Sequence, residues 1–485
     1  MIMSKKIIGM GNDSVSQGKR RFNYLQADCA ARVLDKNFQG KQVLVIGLGR
    51  SGYASATFLK EKGVIVKCTE KEAGVKQEEY KNKLNALDIP VELGGHTREF
   101  CAGSQIAVVS PGVDLSPLLK NNILPSGIEI IGELELGFMF CSSPVIAITG
   151  TNGKSTVTEL TGHVFKHSGL HTEICGNIGI PFINKAESLT DKSIAVLEVS
   201  SFQLETIKTF KPKIALLMNV TDDHYDRHIN YENYKLAKFK IFENQNKNDW
   251  AVLHESFRND PLLKKIKSRI VFYGASGVDN IAKISGEKIL LSTGGSYAPV
   301  MTVSEIPIKG AHNLDNVLSV VTISGIMGVS ANIIKEAVKS FKGLAHRFEL
   351  VGVFNGVEYI DDSKATNIDA AKQALISSIK KVVLIAGGKD KGGDYTVIFP
   401  EIKEKVKSMV VIGETKQKLK EIFGKIVSVV EAGDMKDAVI KASKIAGTGG
   451  TVLLSPMCSS FDMFNDYKHR GKVFQDAAKS LVGKP

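Results

Sequence analysis

Short apolar runs alternate with longer stretches of mixed polarity along most of this chain. The runs at residues 193–199 and 214–220 are apolar over most of their length, as expected of strands in a parallel sheet that is covered on both faces. The stretches at residues 157–167 and 312–328 read as helices. This alternation of strands and helices predicts an α/β fold with mostly parallel sheets.

The pattern divides into three blocks, which predict three domains. The first block begins with a strand at 41–46 and continues to a strand at 106–110, and the second begins with a strand at 145–149. The third begins near Gly343 and repeats strand and helix in the order of a doubly wound α/β domain. Its predicted strands are 357–360, 382–386, 409–412 and 451–454, with a helix at 368–379.

Residues 270–310 interrupt the second block with a different pattern. Three short strand candidates, at 271–273, 281–284 and 289–291, are separated by glycine-rich turns. Such short strands predict a small antiparallel insert. The predicted domain bounds are 41–132, 133–342 and 343–485, and residues 1–40 form a basic N-terminal extension of unknown role.

The composition is that of a globular protein that can bury full cores. Of the 485 residues, 43% are hydrophobic and 24% are charged, and no run of about 18 apolar residues predicts a transmembrane helix. Six scattered cysteines without a C-x-x-C pair argue against disulfides or structural zinc and favour a reducing cytoplasm. The net charge of +12 could indicate nucleic-acid binding, but the lysines are spread along the chain and fit anionic small-molecule substrates. We therefore expect neither a nucleic acid nor a membrane as a partner.

The segment AITGTNGKST at 147–156 joins a predicted strand to a predicted helix through a glycine-bracketed turn. Such a turn directs backbone N–H groups and a helix N-terminus at one point, where a phosphate can be held. Lys154 would add a positive charge, and Ser155 or Thr156 a hydroxyl for Mg²⁺. Ile148 stands where the full P-loop pattern has glycine, so a tight strand–helix connection is the alternative interpretation. The strand and helix on either side favour a nucleoside triphosphate.

A second glycine-rich turn, GLGRSG at 47–52, follows the first strand and fits the G-x-G-x-x-G dinucleotide pattern. Glu70 lies about where an acidic residue would meet a ribose. Taken alone, this turn predicts NAD and an oxidoreductase. Glycine backbone and a helix N-terminus can equally hold the diphosphate of a UDP-sugar, or serve only for tight helix–strand packing. A simple dehydrogenase has no use for the other, triphosphate-type turn.

Three further candidates follow the central strands. Glu198 lies at the carboxyl end of a strand, where ligands bind in open α/β sheets, and is a candidate Mg²⁺ ligand or a helix-capping charge. His224 lies in the polar segment TDDHYDRH after the next strand and could complete a metal site or orient a carboxylate. A solvated loop is the alternative interpretation for Asp222, Asp223 and His228 in the same segment. Lys238 falls on the following predicted helix, where spacing alone makes it a surface lysine.

Taken together, these motifs resemble the Mur ligase family. The matching segments occur in family order over roughly residues 41–474. The combination of SSFQLE with DDSKATN is similar to the family member that adds D-glutamate. The segments are GLGRSG (47–52), SPG (110–112), TGTNGKST (149–156), GNIG (176–179), EVSSFQLE (198–205), NVTDDHYDRH (219–228), HNLDN (312–316), HRFE (346–349), DDSKATN (361–367), GGKDKGG (387–393) and SPMCSSFDMF (455–464).

The resemblance implies a Rossmann-like UDP-binding domain, a central P-loop-type ATPase with a small antiparallel insert, and a C-terminal Rossmann-like domain that binds the amino acid. The implied ATP-binding residues are Gly150, Thr151, Asn152, Gly153, Lys154, Ser155, Thr156, Asn316, Arg347 and Asp362. The implied UDP-substrate residues are Arg50, Ser51, Glu70, Gly112 and Asn177, and the implied D-glutamate residues are Lys364, Thr366, Lys391, Ser460 and Tyr467. The implied catalytic residues are Lys154, Glu198, His224 and Lys238. The implied metal ligands are Ser155, Thr156, Glu198, His224 and, once carbamylation has made it an anion, Lys238.

The implied reaction is formation of a peptide bond through an acyl phosphate, with ATP and Mg²⁺, as a cytoplasmic step of peptidoglycan synthesis performed by a monomer. Positioning and charge neutralisation would supply the catalysis, and the C-terminal domain would close over ATP. Rival hypotheses are another Mur ligase, a folylpolyglutamate synthetase, an NAD-dependent oxidoreductase and a nucleotide-binding regulator. A folate enzyme would not need the first glycine turn, and the D-N-P-R motif expected of a diaminopimelate-adding ligase does not occur in the sequence.

Overall fold

The computed structural model describes residues 38–223, 225–277, 279–293, 296–308 and 310–481. Most of the predicted basic extension and the predicted metal ligand His224 therefore lie outside the described residues. Among the helices of the described residues, none combines the length and the apolar content needed to cross a membrane. At the start of the described chain, Phe38 is buried and its ring centroid lies 6.0 Å from that of Phe140.

A five-stranded parallel sheet forms the N-terminal part of the molecule. Its strands are β1 (Gln42–Ile46), β2 (Ile65–Glu70), β3 (Val91–Leu93), β4 (Ile106–Val109) and β5 (Glu129–Gly132). They lie in the order β3-β2-β1-β4-β5, and every neighbouring pair is parallel. The helices of this region are α1 (Arg50–Glu61), α2 (Val75–Asn85), α3 (Arg98–Cys101), α4 (Ser116–Lys120) and α5 (Glu133–Met139). The strands predicted at 41–46 and 106–110 are both present.

A six-stranded parallel sheet forms the centre. Its strands are β6 (Val145–Thr149), β7 (His171–Gly176), β8 (Ser193–Glu198), β9 (Ile214–Leu217), β10 (Trp250–His254) and β11 (Arg269–Tyr273). They lie in the order β11-β10-β9-β6-β8-β7. Its helices are α6 (Lys154–His167), α7 (Ile183–Ala186), α8 (Ser201–Leu204), α9 (Tyr225–His228) and α10 (Tyr231–Phe239), and two more, α11 (Ala311–Ile326) and α12 (Ala331–Ser340), follow a small insert.

The apolar runs of the central strands are explained by burial on both faces of this sheet. Ile214 and Leu216 of β9 pack into one hydrophobic core, whereas Ala215 and Leu217 pack into another on the opposite face. Successive side chains of a strand point to opposite faces, so a strand covered on both sides must be apolar throughout. The predicted strand at 214–220 ends at Leu217, before the polar segment that contributes to the site.

The small insert is a three-stranded antiparallel sheet, as predicted, but its membership differs. Its strands are β12 (Ala282–Ser285), β13 (Lys288–Thr293) and β14 (Ser296–Thr302). The assignment of 271–273 to the insert is wrong, because these residues belong to β11, which pairs in parallel with β10 at the edge of the central sheet. A three-residue apolar run has no periodicity that distinguishes the edge of one sheet from the start of another.

The C-terminal part is a third sheet of six strands. They are β15 (Glu349–Phe354), β16 (Val357–Asp361), β17 (Val382–Gly387), β18 (Val406–Ile412), β19 (Val429–Glu431) and β20 (Thr451–Leu454). The order is β15-β16-β20-β17-β18-β19, with only the β15–β16 pair antiparallel. The helices are α13 (Ile368–Ser377), α14 (Phe399–Lys405), α15 (Lys416–Phe423), α16 (Met435–Ala446) and α17 (Tyr467–Lys479). Short 3₁₀ helices lie at Lys240–Phe242, Glu255–Phe257, Pro261–Lys265, Val303–Glu305 and Tyr395–Ile398.

The predicted fold class, α/β with mostly parallel sheets and a small antiparallel sheet, is confirmed. The register of the central sheet then determines where the polar strand ends meet. Ile148 pairs with Glu198 across β6 and β8, and Thr149 pairs with Leu217 across β6 and β9. The turn after β6 therefore lies between the residues that end β8 and those that follow β9, at the carboxyl edge of the sheet.

Candidate active site

The turn between β6 and α6 is built to receive an anion. Gly153 has φ +83°, and a Cβ there would lie 2.5 Å from Asn316 Oδ1, so this position requires glycine. Gly153 is the N-cap of α6 and provides no side-chain cap, which leaves the first-turn N–H groups for an external acceptor. Asn219 holds the preceding residues, because its Oδ1 accepts from the N–H groups of Thr151 at 3.0 Å and Asn152 at 2.9 Å.

Lys154, the first residue of α6, folds back onto this turn. Its Nζ donates to the carbonyl oxygens of Gly150 at 2.9 Å and Thr151 at 2.8 Å, and burial lowers its pKa. The hydroxyl of Ser155 accepts a hydrogen bond of 2.7 Å from Nη2 of Arg347, which belongs to the C-terminal part. An ammonium, a hydroxyl and a helix N-terminus thus lie within one helical turn, a combination suited to a triphosphate.

Glu198, the last residue of β8, is buried beside the turn at 2% exposure. Its Oε1 accepts from Asn177 Nδ2 at 2.7 Å, whereas its buried Oε2 has no hydrogen-bond partner among the described residues. Leaving such an oxygen without a partner costs about 1–3 kcal/mol or more, so the carboxylate fits a bound cation. The helix-capping alternative is wrong, because Ser200 caps α8 together with Gln203.

Lys238 on α10 is 1% exposed and points at the same turn. Its Nζ donates to Gly150 O at 2.8 Å and lies 4.3 Å from the centroid of the Tyr234 ring. Burial and the nearby charge of Lys154 hold the pKa of Lys238 well below its ordinary value. The surface-lysine interpretation is therefore wrong, because packing between elements, and not position along the helix, determines the burial of this side chain.

Arg347 reaches the central part from a constrained turn. Its neighbours His346 and Phe348 have φ values of +63° and +46°. Residues other than glycine adopt this left-handed backbone conformation only at a cost in free energy. Two aspartates at the end of β16 hold this turn: Asp361 Oδ2 lies 2.7 Å from His346 Nδ1, and Asp362 Oδ1 accepts from the Phe348 N–H at 3.2 Å. The Asp361 hydrogen bond raises the pKa of His346, and burial raises the pKa of Asp362 to about 7.

The residues predicted for the amino acid lie on loops and at the start of α17 in the C-terminal part. Lys364 Nζ lies 4.0 Å from the centroid of the Tyr467 ring, and burial lowers the pKa of this lysine to about 7. Lys391 Nζ lies 3.5 Å from Asp223 Oδ1 of the central part. Ser460 is buried, and the Tyr467 carbonyl accepts a hydrogen bond from the hydroxyl of Ser363 at 2.8 Å. Cationic side chains thus accumulate where an acidic substrate would enter.

A cleft of about 550 Å³ between the central and C-terminal parts brings most of the predicted site residues together. Those that line it are Thr151, Asn152, Gly153, Lys154, Ser155, Thr156, Asn177, Glu198, Lys238, Asn316, Arg347, Asp362, Lys364, Thr366 and Lys391. Gly150 contributes through its carbonyl, which accepts from both site lysines. Ser460 and Tyr467 do not line this cleft, and neither do the candidates on the N-terminal sheet.

The N-terminal candidates cluster at the other glycine turn. Glu70 ends β2, and its carboxylate oxygens accept from the N–H groups of Leu48 and Glu72, so this side chain supports the turn directly. Arg50 Nη1 donates to the carbonyl of Gly179 at 2.8 Å and so bridges to the central part. Ser51 follows in the first turn of α1, and Gly112 lies on the neighbouring loop after β4.

Other residues of the cleft have no counterpart among the sequence-based candidates. Asp223, interpreted as part of a solvated loop, accepts from Asn367 Nδ2 at 2.9 Å and contacts Lys391, so that interpretation is wrong for this residue. Asp369 accepts from Asn152 Nδ2 at 2.7 Å. The many polar residues after β9 could have indicated that Asp223 is a site residue. The sequence around Asp369 contains no comparable signal. Further lining residues are His254, Tyr273, His312, Asp315 and Gln373.

Three segments of the chain match known domain families. Residues 41–132 match the Mur ligase MurD-like N-terminal domain, and residues 148–324 match the Mur ligase middle domain. Residues 346–458 match the Mur ligase glutamate ligase domain. Together the three matches cover more than half of the chain.

Curated relatives match over almost the whole length. The chain is 41% identical over 451 residues to the UDP-N-acetylmuramoylalanine–D-glutamate ligase of Koribacter versatilis, with 92% of this chain and 98% of that protein covered. It is 39% identical over 454 residues to the protein of the same name from Caldicellulosiruptor bescii, with 92% and 99% covered.

Solved structures share the fold at low sequence identity. The UDP-N-acetylmuramate-alanine ligase MurC of Thermotoga maritima has a TM-score of 0.56 and 16% identity, with 91% of this chain and 99% of that chain covered. The pseudomurein peptide ligase type C of Methanothermus fervidus has a TM-score of 0.56 and 19% identity, with 91% and 100% covered. At this identity the similarity concerns the fold alone.

Proposed function

The chain belongs to the Mur ligase family, and we infer that it is an ATP-dependent ligase that adds D-glutamate to UDP-N-acetylmuramoyl-L-alanine in peptidoglycan synthesis. The observation that supports this most directly is the cleft in which Lys154, Glu198 and Arg347 face three of the five residues proposed to bind the amino acid. The relatives that match over more than nine tenths of the chain have this activity in their names.

The first step makes a stable carboxylate reactive. The carboxylate of the UDP-linked alanine attacks the γ-phosphorus of ATP, so that a new P–O bond forms, the bond to the β-phosphate oxygen breaks, and ADP leaves. The product is an acyl phosphate. Charge that develops on the transferring group is neutralised by Lys154, by the N-terminus of α6 and by Arg347, which reaches Ser155 from the other domain.

The second step forms the peptide bond. The amine of D-glutamate attacks the acyl carbon, a tetrahedral intermediate forms, and phosphate leaves as the amine loses its proton to solvent. Lys364, Thr366, Lys391, Ser460 and Tyr467 are proposed to hold the two carboxylates and the backbone of D-glutamate. No protein nucleophile is needed, because holding the amine and the acyl phosphate in the right relative geometry accelerates the reaction.

We propose that Mg²⁺ accompanies ATP. The partnerless Oε2 of Glu198 supports a cation there, and the hydroxyls of Ser155 and Thr156 lie in the adjacent helical turn. His224, the remaining proposed ligand, lies outside the described residues. A bound Mg²⁺ would neutralise phosphate charge.

We propose further that Lys238 is carbamylated. An ammonium buried beside Lys154 and a cation would be unfavourable, whereas a neutral amine can react with CO₂: the N–C bond forms, one C–O π bond becomes the carboxylate, and a proton leaves to solvent. The resulting anion would suit a metal site. The burial of Nζ against the Gly150 carbonyl and the Tyr234 ring supports this proposal.

The UDP end of the UDP-linked substrate is proposed to lie at the N-terminal glycine turn. Arg50, Ser51, Glu70 and Gly112 would meet the UDP moiety, and Asn177 would lie near the muramoyl group. The contact from Arg50 to Gly179 supports a continuous path from that turn towards the cleft. We also propose that the protein acts as a monomer. The five cysteines of the described residues are buried and form no disulfide with one another, which supports a cytoplasmic location.

The decisive experiment measures phosphate release and product formation with UDP-N-acetylmuramoyl-L-alanine, ATP and Mg²⁺. We expect turnover with D-glutamate and at least 100-fold less with L-glutamate or meso-diaminopimelate, since buried polar groups matched to one substrate are left unpaired by others. Equal rates with all three amino acids, or no amide with any of them, would contradict the proposed function.

A further inference from the structure

The loop that joins β16 to α13 lies directly against the nucleotide turn of the central domain. This loop contains Lys364 and Thr366, which are proposed to bind D-glutamate, and it ends in the N-cap Asn367, whose Oδ1 accepts from the Ala370 N–H at 2.8 Å. Asp369 follows in the first turn of α13. The amino-acid loop and the nucleotide turn therefore meet at the beginning of one helix.

Two side chains of this helix start bond to the central domain. Asp369 Oδ2 accepts from Asn152 Nδ2 at 2.7 Å and from the Thr221 hydroxyl at 3.4 Å. Asn367 Nδ2 donates to Asp223 Oδ2 at 2.9 Å and lies 3.4 Å from Asn152 Oδ1. Asn152 thus lies between an acceptor and a donor that both belong to the C-terminal domain, and both ends of its amide are used.

The backbone of Asn152 is fixed independently of these contacts. Its N–H donates to Asn219 Oδ1 at 2.9 Å, and its carbonyl accepts from Asn219 Nδ2 at 3.2 Å. The nucleotide turn is therefore shaped from within the central domain. The side chain of Asn152 adds nothing to that shape and is left to contact the other domain.

We propose that Asn152 and Asp369 form a latch that couples the amino-acid-binding loop to the nucleotide turn, so that Lys364 and Thr366 come into register with the reacting phosphate only when the C-terminal domain is closed. Asp369 and the side chain of Asn152 are positioning residues here, because they act through the loop and the turn that they hold together. This inference rests on the proposed function for its kinetic readout. It assigns to Asp369 a role that a helix N-terminal carboxylate alone would not have.

A double-mutant cycle tests the latch. Asn152→Ala and Asp369→Ala should each lower kcat/KM for D-glutamate about 10-fold or more, as expected for loss of a hydrogen bond to a charged group. If the two side chains act only through each other, the double variant should lose no more than the worse single variant. Asp369→Asn retains an acceptor oxygen and should recover most of the activity. The KM for the UDP substrate should stay within twofold in all variants.

The matched control is Asp437→Ala. Asp437 occupies the first turn of α16 in the same domain, where it accepts from the Gly433 N–H at 2.9 Å and pairs with Lys441, without any contact to another domain in the described residues. This variant removes the same charge from a helix N-terminus and should change kcat/KM less than twofold. Multiplicative losses in the double variant, or an equal loss in Asp437→Ala, would overturn the latch.

Small-angle scattering separates failure of the latch from failure of the proposed function. With ADP, Mg²⁺ and the UDP substrate present, Asp369→Ala should have a larger radius of gyration than the parent, because its C-terminal domain closes less often. This measurement does not depend on ligation. An unchanged radius would overturn the latch, whereas a parent that closes but does not ligate would contradict only the function.

Discussion

The central domain meets its two neighbours through boundaries of opposite character. On the N-terminal side, α5 belongs to two hydrophobic cores at once. Leu136 packs into the core around β1, whereas Leu134 and Phe138 pack into the core around β6. Separating these domains would expose apolar side chains on both sides of one helix, at about 25 cal/mol for each Å².

Buried carboxylates reinforce this N-terminal boundary. Glu133 Oε1 accepts from the Ile183 N–H at 2.8 Å, and Glu135 accepts from successive N–H groups of the central domain, at Lys208, Thr209 and Phe210. Both glutamates are 1% exposed. A hydrogen bond from an N–H group to a buried carboxyl oxygen is costly to break when no water can replace the lost partner.

The C-terminal boundary uses polar contacts around an open cleft. Arg347 bonds Ser155, Asn152 bonds Asp369, and Lys391 lies 3.5 Å from Asp223. Such contacts can be exchanged for water or for ligand oxygens at a net cost of about 1 kcal/mol each. From this contrast we expect one boundary to be fixed by shared apolar packing and the other to be movable at the proposed active site.

We expect the greatest loss of activity from a variant of the nucleotide turn, and this variant should leave the N-terminal boundary intact. Lys154→Ala should lower ligation at least 1,000-fold, because it removes the charge that is proposed to face the transferring phosphate. Binding of the UDP substrate, which is proposed to occur at the N-terminal turn, should change little, as measured by calorimetry. Lys416→Ala, at the first position of α15, is the matched control. Joint loss of ligation and UDP-substrate binding would mean that the two sites are not separate.

The next effect concerns Lys238, which sits on the central domain between the two boundaries. Lys238→Ala should be nearly inactive, and short carboxylic acids should restore part of the activity by supplying the anion of the proposed carbamate. The same acids should not rescue Lys154→Ala, which serves as the control. Full activity of Lys238→Ala without added acid would remove the carbamate from the mechanism.

A packing variant probes the fixed boundary itself. Leu136→Ala should lower the free energy of unfolding by about 2–5 kcal/mol, because Leu136 is fully buried in the core that α5 shares. Asp369→Ala at the movable boundary should lower it by less than about 1 kcal/mol. Urea unfolding measures both. Equal losses in the two variants would mean that the boundaries do not differ as described.

We expect Glu133, the first residue of α5, to make the free energy of unfolding depend on pH. Burial raises the pKa of Glu133 from 4.5 to about 7, so the folded chain holds this proton more tightly than the unfolded chain does. The stability from this group is present below about pH 4.5 and is lost as the pH rises to about 7. Glu133→Gln should remove that slope and raise the free energy of unfolding at pH 8 by about 3 kcal/mol. Glu78→Gln, at an exposed position of α2, is the control and should change the free energy of unfolding by less than about 0.5 kcal/mol.

The smallest effect is a change of overall shape. Nucleotide and UDP substrate together should reduce the radius of gyration, because we expect the C-terminal domain to close while α5 keeps the other two domains together. Identical scattering profiles with and without these ligands would contradict closure.

Much of this could be predicted from local sequence. The strand before the nucleotide turn, the apolar strands of the central sheet and the end of β8 at Glu198 follow from period and turn residues alone. The helix α6 begins at Lys154, three residues before the predicted start at residue 157. This start could not be predicted, because the glycine turn and the first helical residues have no apolar periodicity. The edge strand β11 was assigned to the wrong sheet for a similar reason.

The α/β class, the two glycine turns and the local groups Lys154, Ser155 and Glu198 could be inferred from the amino-acid sequence, because they depend on residues close together in the chain. The burial of Lys238, the position of Asp223 in the cleft and the contact between Asp369 and Asn152 became visible only in the folded chain. The physical reason is that periodicity reports which face of an element is apolar. It contains no information on which distant element, or which neighbouring domain, will cover a given polar side chain.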